Sequence, residues 1–125
     1  MVDYYLKEDE LLDKEHLPVY FILHGAPDSF FPEEIRCLSM GVGFGNDAGE
    51  CSFWEDLDEA EQARYGLFDG AVFTSWFLPH PVQLTNAEIL HYVQLACRAY
   101  CRAYPNEKEK LDGYMKSFAK LKGLE

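Results

Sequence analysis

The run Thr85-Asn86-Ala87-Glu88-Ile89-Leu90-His91-Tyr92-Val93-Gln94-Leu95-Ala96-Cys97-Arg98-Ala99-Tyr100-Cys101-Arg102-Ala103-Tyr104-Pro105 decides the fold. Thr85 and Glu88 have the spacing at which a hydroxyl and a carboxylate satisfy each other's backbone N–H groups, so a helix is expected from Asn86. It runs to Tyr104 and stops there, because Pro105 pushes the preceding residue out of the helical region. Its polar residues His91, Gln94, Arg98 and Arg102 are spaced 3, 4 and 4 apart and fall on one stripe. Nearly everything else in the run is apolar. A helix with so narrow a wet face is expected to be packed on most sides.

Beyond Pro105, Asn106 and Glu109 repeat the cap logic and predict a last helix over 107–122. There Leu111, Tyr114, Met115, Phe118 and Leu121 form a one-sided apolar stripe. Upstream, Asp69-Gly70 marks a turn, and Ala71 to Leu78 has the β-branched and aromatic content of a strand, ended by Pro79 and Pro81. Glu50 to Trp54 alternates like a second strand, and Asp58 to Tyr65 reads as a short helix or turn. A glycine-dense loop spans Gly41 to Gly49. Pro32 suits the first turn of a helix running to about Met40. The short apolar run Pro18 to Leu23, closed by Gly25 and Pro27, reads as a buried strand, and residues 4–14 as a poorly patterned acidic helix. The expectation is an α+β fold in a single domain over residues 1–125. It has a small, mostly antiparallel sheet against three or more helices, and a long central helix toward the C-terminus.

Composition narrows the function. The chain has 125 residues, enough for one hydrophobic core, and 48% of them are hydrophobic, too many for a disordered chain. No stretch is apolar enough to span a bilayer, and the acidic start Met1 to Glu10 lacks the basic and apolar regions of a signal peptide. A cytoplasmic location is therefore expected. Cys37, Cys51, Cys97 and Cys101 follow no disulfide framework and read as reduced, mostly buried thiols. Acids outnumber bases 22 to 11, for a net charge of -11. Nucleic acid and anionic membrane would be repelled, and a basic partner attracted. The charge is concentrated: residues 46–70 hold eight acids against Arg64 alone, whereas residues 98–125 hold seven bases and four acids.

Chemistry-bearing patterns are few. Gly41, Gly43 and Gly45 fit G-x-G-x-G, but no strand is expected before them and no helix after, so a loop needing unusual backbone freedom is the better account. Cys97 and Cys101 lie one helical turn apart without two further ligands at recognisable spacing, and read as small buried hydrophobes. No Ser or Cys sits in a nucleophile turn. Eight acids are more than an active site needs. A small carboxylate- or metal-dependent enzyme remains an alternative, as does an acidic adaptor for another basic partner. The favoured reading is a partner-binding surface of Asp47, Glu50, Trp54, Glu55, Asp56, Asp58, Glu59 and Asp69, in which carboxylates steer in a basic protein and Trp54 supplies an aromatic anchor. Trp76, in an apolar strand, reads as core. No catalytic residue, metal or cofactor is assigned.

The stretch Gly43-Phe44-Gly45-Asn46-Asp47-Ala48-Gly49-Glu50-Cys51-Ser52-Phe53, with Phe68-Asp69-Gly70-Ala71-Val72-Phe73 and the helix Tyr92 to Tyr104, resembles the CdiI-type ribonuclease toxin immunity proteins of contact-dependent growth inhibition. The resemblance covers roughly residues 32 to 118, and the segment Trp76 to Val82 departs from it by being longer than the corresponding turn. It implies a bacterial, cytoplasmic inhibitor that binds a cognate ribonuclease toxin domain, the CdiA C-terminal domain, with no cofactor and no catalytic residues.

Overall fold

The computed structural model describes residues 5–124; residues 1–4 and 125, which enter the signal-peptide and domain-end readings, lie outside the described residues. In chain order the elements are α1 (Leu17–Leu23), α2 (Phe31–Ser39), β1 (Phe44–Asn46), β2 (Gly49–Phe53), α3 (Glu59–Tyr65), β3 (Ala71–Ser75), β4 (Val82–Leu84), α4 (Asn86–Ala103) and α5 (Lys108–Leu121). One-turn 3-10 helices at Glu8–Glu10, Lys14–His16, Asp28–Phe30, Trp54–Asp56 and Pro105–Glu107 join them. The strands form an antiparallel sheet in the order β1-β2-β3-β4. The α+β architecture expected from the sequence is the one observed.

The capping box at the head of α4 is present. Thr85 N–H donates to Glu88 Oε1 at 2.9 Å, and Glu88 N–H donates to Thr85 Oγ1 at 3.1 Å. Ile89, Tyr92, Val93, Ala96, Cys97, Ala99 and Tyr100 are buried, while Gln94, Arg98 and Arg102 stay in water, as the narrow polar stripe requires. On the remaining faces α4 meets α5 and the N-terminal segment, where Leu12 N–H donates to Tyr92 Oη at 2.8 Å and His16 Nδ1 lies 2.7 Å from the same oxygen. The second cap departs from expectation. Residues Pro105–Glu107 form a separate 3-10 turn, α5 begins at Lys108, and Asn106 caps nothing.

The run Pro18 to Leu23 is helical and not a strand. Pro18 occupies the first turn, where its fixed φ favours a helix, and the buried residues Pro18, Val19, Ile22 and Leu23 recur with helical spacing. A continuous apolar run of this length has no period that separates the two states. α1 packs on β2 and β3, over the face that carries Cys51, Phe53, Ala71 and Phe73. The short acidic helix expected at residues 4–14 is replaced over the described part by the first 3-10 turns. In the glycine-dense loop, Gly41 takes φ +70 to end α2, its N–H donating to Leu38 O at 2.9 Å, and β1 then begins inside what the sequence suggested was loop. β3 stops at Ser75, shorter than the stretch read to Leu78.

Candidate functional site

β2 is the axis of the site. Its five residues span about 13 Å at a normal strand rise, and the expected contact residues are distributed along it. At its C-terminal end the register pairs Phe53 with Ala71, so Trp54, Glu55, Asp56, Asp58 and Glu59 emerge beside Asp69. Glu50 lies mid-strand opposite Thr74, on the face away from Cys51 and Phe53. Asp47 sits at the other end, in the turn between β1 and β2, and does not join the others. The seven carboxylates are exposed, and among the described residues none takes part in an ion pair.

Several of these side chains also hold the chain together. Asp56 Oδ2 accepts from Gly43 N–H at 2.9 Å and Phe53 N–H at 3.0 Å, tying the loop before β1 to the end of β2. Asp58 caps α3 by accepting from Glu61 N–H at 2.8 Å. Asp69 accepts from Asn86 Nδ2 at the head of α4. Trp54 is half-buried, and its Nε1 donates to Gly66 O at 2.9 Å while Gln62 Nε2 donates to Trp54 O at 3.1 Å. Its polar handle is thus engaged within the chain. α3, hung between these contacts, buries none of its residues.

Two neighbouring exposed rings lie elsewhere. Trp76 is 57% exposed and Phe77 65%, against the expectation that Trp76 is core. Because β3 ends at Ser75, both fall in the turn that follows it. The ladder continues one step, with Trp76 N–H donating to Ala48 O at 2.9 Å, which sets this turn beside Asp47. Phe77 lies 5.7 Å, ring centre to ring centre, from Phe21 of α1.

A cleft of about 420 Å³ opens next to the same turn, between the α1–α2 connection, α2 and β1. Pro27, Phe30, Glu34, Cys37, Phe44 and Asp47 are among its walls. Glu34 is buried in that wall at 7% exposure. Its Oε2 accepts from Asn46 Nδ2 at 2.8 Å, whereas Oε1 is buried without a hydrogen-bond partner among the described residues. Burial pushes the Glu34 carboxyl up to about 7, and the Asn46 hydrogen bond holds it back only in part. Asn46 also donates to Ile22 O at 2.9 Å and accepts from Ala48 N–H at 2.9 Å, with every polar atom used. Gly25 makes room for it: a Cβ there would stand 2.1 Å from Asn46 Oδ1. The sequence marks Glu34 only as an acid in the first turn of its helix, because the partner that draws it into the cleft wall, Asn46, lies on the next element.

A family model for CDI immunity proteins matches residues 8–115. The chain belongs to the CDI immunity protein family. The match includes all eight expected contact residues and reaches back to residue 8, well before residue 32, where the resemblance had been placed. A CDI immunity protein neutralises a cognate toxin, so the family implies a toxin as partner. No curated protein sequence matches this CDI immunity protein. Among the described residues no helix is long and apolar enough to cross a membrane, and no group of three or more His, Cys, Asp or Glu side chains is placed to hold a metal ion.

Proposed function

We propose that this chain acts in the cytoplasm as a one-domain inhibitor of a ribonuclease toxin, the C-terminal domain of a CdiA protein, and has no catalysis of its own. The observation that carries this reading is the run of exposed carboxylates, none in an ion pair, on an immunity protein of net charge -11. A ribonuclease binds a polyanion and needs basic side chains in its active site. Carboxylates set on the inhibitor occupy the positions that substrate phosphates otherwise take, and the summed field draws the toxin in before contact. Among the described residues the side chains of Glu50, Glu55, Glu59 and Asp47 make no ion pair, and these four serve as the steering charges. Asp56, Asp58 and Asp69 add to the field while keeping their loops in place, and Trp54 backs the patch as a half-buried ring.

The test is association kinetics with the toxin domain encoded beside this chain. The double substitution Glu55→Lys and Glu59→Lys removes no buried contact, so the fold is retained. It is expected to slow association about tenfold at low salt, to flatten the salt dependence and to weaken growth rescue. An association rate that ignores ionic strength in the parent chain would remove the electrostatic basis of the proposal.

A further inference from the structure

We propose that the Glu34 cleft receives a basic side chain, arginine or lysine, presented by the toxin, with Glu34 as its counter-ion. This rests on the functional reading above and moves one contact away from the α3 end of β2. A carboxylate oxygen that is buried and unpartnered is rare in a folded protein and marks a place where a donor is missing. No side chain among the described residues supplies that donor. Arg36, the base on the same helix, is committed to Glu33 through Nη2 at 2.6 Å and Nε at 2.9 Å, and Asn46 has spent both N–H groups.

The walls suit a long cationic side chain. Phe30 and Phe44 in the wall offer apolar surface for an alkyl stem or a guanidinium plane, and Asp47 adds an exposed carboxylate to the lining. The surroundings favour a protein over a free small molecule. Ala48, next to Asp47 of the cleft wall, accepts from the Trp76 backbone N–H, which brings the turn carrying the exposed rings of Trp76 and Phe77 near the cleft. A charged pocket beside exposed aromatic anchors is the anatomy of an interface centre. The raised Glu34 carboxyl agrees with this geometry, since a group pushed up by burial alone lacks the cation that would hold it down.

Glu34→Gln keeps the shape and removes the charge, and Phe30→Ala trims a ring that is 59% exposed, so both variants fold. Each is expected to weaken toxin binding roughly tenfold or more, mainly through faster dissociation, with the association rate and its salt slope unchanged. That pattern separates the cleft from the steering charges, which act on association. In a second arm, ethylguanidinium is titrated into the isotope-labelled free chain. Saturable shifts at Asn46 and Asp47 in the parent, lost in Glu34→Gln, support the site whether or not the toxin is a ribonuclease. Parental toxin affinity in both variants overturns the proposal, and if ethylguanidinium still binds, the cleft is a small-cation site only. Absence of any saturable shift overturns it as well. A chain that binds no ribonuclease toxin sinks the functional reading, and the guanidinium arm then decides the cleft alone.

Discussion

Glu34 makes the fold sensitive to pH in a direction opposite to most carboxylates. Its pKa rises from 4.5 to about 7 on folding, so between those values the folded chain holds a proton that the unfolded chain has released. Stability from this group is therefore greatest below about pH 4.5, falls as pH rises and levels off above about pH 7, the whole drop being at most about 3 kcal/mol. Urea unfolding of the parent and of Glu34→Gln at pH 5 and pH 8 is expected to show the drop in the parent and a smaller one in the variant. Equal pH dependence in the two would count against it. No residue-scale pattern announced the contacts of this group, and the same holds for Asp28. Its carboxylate accepts from Tyr5 and Tyr104 hydroxyls and its carbonyl from Tyr100 at 3.1 Å, joining the N-terminal segment to α4. Partners separated by 23, 72 and 76 positions leave no spacing to read.

Elements with a chemical start signal were the readable ones. Thr85 and Glu88 fixed the first residue of α4 and Pro32 placed α2, while the stretch from Asp58 to Tyr65, open between helix and turn in the sequence, is the helix α3 capped by Asp58. The α4 cap joins the helix directly to β4, so its loss frays a central element. Thr85→Ala is expected to cost about 1 kcal/mol and to lower Tm by about 4 °C in a thermal melt; the Thr85 backbone N–H still donates to Glu88 in that variant, so Glu88→Ala is expected to add a loss of its own, and no further loss would overturn this. Elements without such signals were misread. β1 and β4 have three residues each, too few for alternation to register, and β4 also follows a proline. α1 presented apolarity without period. The end of β3 was overrun because Trp76, Phe77 and Leu78 have strand-like chemistry, while the backbone there is already turning: Phe77 and Leu78 N–H groups both donate back to Ser75.

At the scale of the molecule, charge was legible and shape was not. The concentration of acids between residues 46 and 70 followed from counting, but the count held no hint that β2 parts Asp47 from the rest, or that a cleft and two bare rings lie at that far end. Such features come from the packing of α1, α2 and the β1–β2 turn, which local pattern does not encode. The same packing leaves α3 held by its cap and the hydrogen bonds around Trp54. Its amides are expected to exchange hydrogen faster than those of α4 in the free chain, and to slow when the toxin is bound. Unchanged exchange in the complex would place the toxin elsewhere. A segment with no interior duties is also free to drift. On the proposed toxin-facing surface, substitutions along Glu59–Tyr65 that spare Gln62, which bonds Trp54, are expected to shift which rival effector is recognised while the scaffold stays intact, leaving one such frame room to diversify into inhibitors of unlike specificity.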